Sequence, residues 1–186
     1  WLTVIVVAIG GGIVGALIEW LAIRPLNRQS RIAPLLATIG VGLILDQSIH
    51  ILFTATPRSL SAELPNWRIT MGTGTIGIVD IFIFCTAVLS AALLYLLLFK
   101  TKIGMAVRAT AQDDDAAKQM GVNINRVNMT VFATAGALGA IAGLLVGLYF
   151  NNIDPITSFN IMLKGMVAIV IGGMANVPGA IGGGLI

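Results

Sequence analysis

The sequence predicts an all-α, polytopic transmembrane helix bundle, and three observations predict it. Of 186 residues, 57% are hydrophobic and only 10% are charged, and the mean hydropathy is +0.96. A soluble domain carries about 25% charged residues, so this chain lacks the polar side chains to coat a water-facing surface. Five stretches approach the ~20 mostly apolar residues that a membrane helix needs: 1–23, 35–55, 78–99, 129–150 and 164–186. The runs are continuous rather than alternating at period two, so barrel strands are not expected. The whole of 1–186 reads as a single transmembrane domain. It also reads as a fragment of a longer chain, because Trp1 already opens an apolar run and Ile186 ends inside another.

Taken in order, the first span ends near Glu19, about one turn before Arg24, which predicts a structural ion pair at the membrane boundary. The second carries Asp46 and His50, four apart and so on one helix face. The connecting segment 56–77 contains Gly72-x-Gly74-x-x-Gly77. That spacing binds dinucleotides only between a strand and a helix of a βαβ unit, and here it precedes a membrane span, so a flexible loop is expected. Asp80 suits the N-terminus of the third span, where free amides and the helix dipole favour a carboxylate. In the fourth, Gly139, Gly143 and Gly147 repeat on one face with Gly136 nearby, a pattern that lets helix backbones approach. Lys164 stands at the start of the fifth, where it can snorkel. Gly172, Gly173, Pro178 and Gly179 interrupt that span and predict two short pieces.

Orientation follows from the basic residues. Segment 24–34 holds Arg24, Arg28 and Arg31, and segment 100–128 holds Lys100, Lys102, Arg108, Lys118 and Arg126. Segment 56–77 holds only Arg58 and Arg68, and 151–163 holds no basic residue. The positive-inside tendency places the first pair in the cytoplasm and the second pair outside.

The polar segment 100–128 is the most informative part of the chain. Asp113, Asp114 and Asp115 precede Ala116, Ala117, Lys118, Gln119 and Met120, and Gly121 follows. Carboxylates favour a helix start, alanine and lysine its body, and glycine its end. The result is a capped helix of about two turns, marginal alone in water, so something must pack on it.

Asp115-Ala116-Ala117-x-x-x-Gly121 resembles the EAA-x-x-x-G loop of ABC importer permeases, with Asp in place of Glu and without the Ile-x-Leu-Pro tail. Further blocks are similar to the permease subunits of bacterial branched-chain amino acid importers. They are Ile18-Glu19, Arg24-Pro25-Leu26, Ser30 to Leu35, Ala37 to Gly40, Gly104 to Asp113, Met120 to Val127, Leu163-Lys164 and Gly172 to Gly183. Trp20 departs from that pattern, where a basic residue is usual, and so does Asp46, where an amide is expected. The resemblance implies a multi-pass protein of the bacterial cytoplasmic (inner) membrane. It also implies a second permease subunit, two cytoplasmic ATPase subunits that bind the ATP, and a periplasmic substrate-binding protein. Coupling to the ATPases would run through Arg108, Gln112, Asp113, Asp114, Asp115, Ala116, Ala117 and Gly121.

The chain has no G-x-x-x-x-G-K-[ST] phosphate loop, so no cofactor of its own is expected. One histidine and one cysteine, Cys85, offer no catalytic constellation, metal-ligand spacing or disulfide framework, and no nucleic-acid partner is expected. Asp46 and His50 are candidates for the translocation path, since a carboxylate inside a bilayer costs several kcal/mol unless it faces a cavity or a partner. An Asp–His pair satisfied within the bundle is the plainer alternative. The same residues would suit an ion-coupled secondary transporter, and a urea or short-chain amide importer or a non-transporting scaffold are further alternatives.

Overall fold

A computed structural model describes residues 2–25, 33–53, 58–59, 68–71, 74–150, 152–153, 155–173 and 177–184. Among the described residues, eight α-helices run in the order α1 (Leu2–Ile18), α2 (Ala33–Phe53), α3 (Ile78–Lys100), α4 (Lys102–Gln112), α5 (Asp114–Gln119), α6 (Ile124–Phe150), α7 (Pro155–Gly172) and α8 (Val177–Gly183). A π-helical turn, Glu19–Ile23, extends α1. Among the described residues, three helices have the length and composition to cross a membrane: Leu2–Ile23, Val79–Lys100 and Ile124–Phe150. The second and fifth expected spans correspond to shorter apolar helical stretches, Leu36–Ile49 and Ile161–Gly172. Large apolar side chains such as Ile5, Ile9, Phe84 and Leu93 lie exposed along α1 and α3, as helices surrounded by lipid require.

The expected boundaries shift at two helices. The fourth span begins at Ile124 rather than 129, because the Asn123 side-chain oxygen accepts from the Arg126 amide at 3.3 Å and starts the helix early. The fifth begins at Pro155, a residue suited to the first turn of a helix. Lys164 therefore stands inside α7 rather than at its start. The break after Gly172 matches expectation: Gly173 adopts φ +88° and α8 follows as a separate piece.

Segment 56–77 is not simply a loop. Strands β1 (Arg58–Ser59), β2 (Arg68–Met71), β3 (Gly74–Gly77) and β4 (Asn152–Ile153) form two antiparallel pairs, β1 with β4 and β2 with β3. Gly74 and Gly77 of the glycine motif thus belong to a strand, whereas Gly72 lies outside the described residues. The β1–β4 register pairs Arg58 with Ile153 and Ser59 with Asn152. That pairing puts the connection before α3 and the connection after α6 on one side of the protein, as the alternation of basic segments requires.

Contacts divide the chain into two units, Trp1–Ser48 with Leu96–Val146, and Ile49–Tyr95 with Gly147–Ile186. In the first, α1 and α6 cross at glycines. A Cβ on Gly11 or Gly15 would overlap the backbone of Gly136 or Phe132, and one on Gly136 would overlap Gly11. In the second, α7 and α8 fold against each other where Gly172 meets Gly179 and Gly183 meets Ala168. Also in this unit, the Asp80 carboxylate accepts from the Gly77 amide at 3.1 Å and closes the first turn of α3.

Glu19 does not pair with Arg24. Its side chain is 2% exposed and Oε1 has no hydrogen-bond partner among the described residues, while the Arg24 side chain is exposed. The contact between the two residues is the π-type backbone bond from the Arg24 amide to the Glu19 carbonyl, 2.8 Å. Glu19 opens the π turn with its carboxyl buried, whereas the Arg24 side chain just past that turn is exposed.

Candidate functional site

The site is built on the segment that leaves α3 and returns at α6. Thr101 makes the first turn: its hydroxyl donates to the Leu97 carbonyl at 2.5 Å and accepts from the Gly104 amide at 3.1 Å. One side chain thus closes α3 and caps α4. Gly104 is buried against that corner, where a Cβ would overlap the carbonyl oxygens of Leu97 and Leu98. The Arg108 guanidinium carbon lies 4.9 Å from the centre of the Phe99 ring, a cation–π contact that ties α4 back to the end of α3.

Asp113 joins α4 to α5. Its backbone is extended (φ −153°, ψ 111°) and its amide bonds the Ala109 carbonyl, ending α4. Its Oδ1 accepts from the Asp115 amide at 2.9 Å and the Ala116 amide at 3.1 Å, starting α5. At the other end of α5 the Val122 amide bonds the Ala117 carbonyl and the Gly121 amide bonds the Lys118 carbonyl, at 3.0 and 2.9 Å. With Gly121 at φ +81°, this is a Schellman closure, which needs a left-handed residue at that position. Six residues are too few to hold a helix by themselves, and side-chain and backbone caps at both ends supply what length does not.

The helix has one inward residue. Ala117 is 4% exposed and is seated in the chain, close in sequence to Ile124 and Val127, which are also buried. Asp114, Asp115, Ala116, Lys118, Gln119 and Gly121 are exposed, as are Arg108, Gln112 and Asp113. Lys118 reaches Asp115 at 2.9 Å, an exposed pair that contributes only a few tenths of a kcal/mol. Met120 is 85% exposed, a flexible apolar side chain held out in the midst of polar ones. Such a residue costs hydration and suits a contact surface.

The candidate residues Arg108, Gln112, Asp113 to Ala117 and Gly121 therefore fall on one continuous α4–α5 unit. Sequence reasoning did not identify α4 as a separate helix, nor the roles of Thr101, Gly104 and Met120. The signals were present: a Thr three residues before a Gly at a helix end, and a Met ahead of the closing glycine.

Other candidates stand apart. Asp46 is exposed on α2, and no ion pair joins it to another described residue. His50 lies on the same helix, but its side chain is outside the described residues. At Gly139 and Gly143 a Cβ would meet nothing within 4 Å, and Gly147 is buried. Among the described residues no group of His, Cys, Asp or Glu has the arrangement to hold a metal.

Comparison with known proteins gives one consistent result. The family described as the branched-chain amino acid transport system / permease component matches residues 1–186. The high-affinity branched-chain amino acid transport system permease protein BraD of Pseudomonas aeruginosa is 30% identical over 92% of this chain and 57% of its own length. The corresponding LivH permease of Escherichia coli is 28% identical over 100% of the chain and 63% of its own length. A probable branched-chain amino acid transport permease LivH of Methanocaldococcus jannaschii is 31% identical over 100% of the chain and 60% of its own length. The chain thus spans 57% to 63% of these relatives. No solved structure matches it.

Proposed function

The chain belongs to the permease-component family of branched-chain amino acid transport systems, and from that premise we propose that it forms part of the membrane path of an ATP-driven importer, with α5 as its coupling helix. It is a multi-pass membrane protein of a transport family, not an enzyme family. The proposed cargo is a branched-chain or related amino acid. The proposed partners are a second permease subunit, two cytoplasmic ATPase subunits that bind ATP, a periplasmic binding protein and the lipid bilayer of the bacterial inner membrane.

One observation carries the coupling role. A two-turn helix, closed by caps at both ends and rooted by Ala117, presents Met120 and a charged face outside the apolar spans. The caps keep it helical without a partner, so a closing ATPase meets a preformed knob and pays little ordering entropy. Through Asp113 the push passes to α4, and through Thr101 and Gly104 to the end of α3. Asp46 and His50 on α2 remain our candidates for the path. The open faces of Gly139 and Gly143 support close approach by a neighbouring helix.

The test is reconstitution of the full-length protein with its co-expressed partners, comparing the native chain with Met120→Lys. Lost co-purification of the ATP-hydrolysing subunit and lost uptake, with membrane insertion intact, is the expected result. Unchanged uptake by the variant overturns the coupling role. Uptake that fails with an ionophore while ATP is plentiful overturns ATP drive in favour of ion coupling.

A further inference from the structure

We propose that a basic groove between the start of α4 and the start of α6 binds the phosphate of an anionic membrane phospholipid. The groove encloses about 460 Å³ and its lining includes Lys102, Ile103, Asn123, Arg126, Val127 and Thr130. Two of its lining residues are cations and none is an acid. Neither Lys102 nor Arg126 forms an ion pair with a described residue, whereas Lys118 nearby in the sequence does.

Position selects the ligand. The apolar span of α3 ends at Lys100 and that of α6 begins at Ile124, so Lys102 and Arg126 both lie within about one helical turn of a span's end. The 23 residues of α3 rise about 35 Å, slightly more than the ~30 Å of hydrocarbon. Both cations therefore stand at the depth of the lipid phosphates. Ile103 and Val127 give the groove an apolar wall for the glycerol and upper acyl carbons. The two cations supply donors for phosphate oxygens, while the Thr130 hydroxyl already donates to the Arg126 carbonyl at 2.8 Å and the Asn123 oxygen is engaged with the Arg126 amide. A guanidinium and an ammonium that line one groove can together donate to one phosphate. The inference needs only that the spans lie in a membrane, and it holds on whichever side the segment faces. Gly121 and Val122, which close α5, also line the groove, so the test below separates lipid binding from loss of the ATPase subunit.

The test uses the full-length protein in detergent with its partner subunits, titrated with fluorescent phosphatidylglycerol. Each basic residue near a membrane surface contributes about 1 kcal/mol toward anionic lipid. Lys102→Gln with Arg126→Gln should therefore weaken binding roughly thirtyfold, whereas Lys100→Gln, outside the groove, should leave it near native. Fluorescent phosphatidylcholine should bind weakly to all forms. Three results overturn the proposal: equal phosphatidylglycerol binding by the double variant, displacement of the lipid by millimolar inorganic phosphate, or loss of the ATPase subunit from the double variant with lipid binding intact. The second identifies a free-phosphate site, and the third a protein-docking groove.

Discussion

At the residue scale, Gly121 gives the cleanest separation of conformation from contact. A Cβ there meets no atom within 4 Å, yet φ is +81°. Gly121→Val is therefore expected to cost about 1–2 kcal/mol through backbone strain alone, a factor of five to thirty in the capped population. Gly121→Asn, which tolerates the left-handed region, should retain most activity. Substrate uptake by reconstituted protein of equal insertion checks both. Asp113 gives a second case. Asp113→Ala removes an acceptor shared by two amides and should cost about 1 kcal/mol, read as about fivefold faster hydrogen exchange at Asp115 and Ala116. Asp113→Asn keeps the oxygen and should exchange at nearly the native rate. Equal exchange in all three would mean that packing of Ala117, and not the cap, holds α5.

At the element scale, the glycines of α6 have unequal roles. Gly136 lies against Gly11 and Gly15 of α1, while Gly139 and Gly143 have open space around the position of a side chain. Gly136→Leu should lower the melting temperature of the purified protein by several degrees, because overpacking at a helix crossing costs typically 1–3 kcal/mol. Gly143→Ala should change it little. The sequence pattern identified a small-residue face but not which members meet α1, since periodicity records spacing and not the identity of the facing helix. The same limit explains the rest of the comparison between sequence and structure. Long apolar runs, the interruption at Gly172 and Gly173, and the carboxylates and glycine bounding α5 were legible because each acts locally. The early start of α6, the hairpin of β2 and β3, and the burial of Glu19 were not. They depend on one side-chain cap, on strand partners, and on a π turn that shifts a face by a fraction of a turn. Spacing pairs Glu19 with Arg24, but the structure buries the one and exposes the other.

At the scale of the whole molecule, the β1–β4 pairing puts the connection before α3 and the connection after α6 together without reference to charge. Paired antiparallel positions have Cα atoms about 4.5–5.5 Å apart, within disulfide range. In a Cys85→Ser background, Arg58→Cys with Ile153→Cys should crosslink on mild oxidation. A thiol placed at Asp115 in the same background should react with an impermeant reagent only from the opposite face of the membrane. A reagent that reaches both the Asp115 position and the Ile153 position from one face would contradict the alternation of spans on which the cytoplasmic placement of α5 rests.

The single extended residue between α4 and α5 has a mechanical consequence. Two rods joined by one residue leave little chain to take up slack. Under the proposed coupling role, a nudge against the six-residue rod would reach the eleven-residue one as rotation about Asp113. The longer rod is pinned at its far end by the tight corner at Gly104, so in the coupling role proposed above the pair would work as a crank, turning a sideways stroke into a twist on the end of α3.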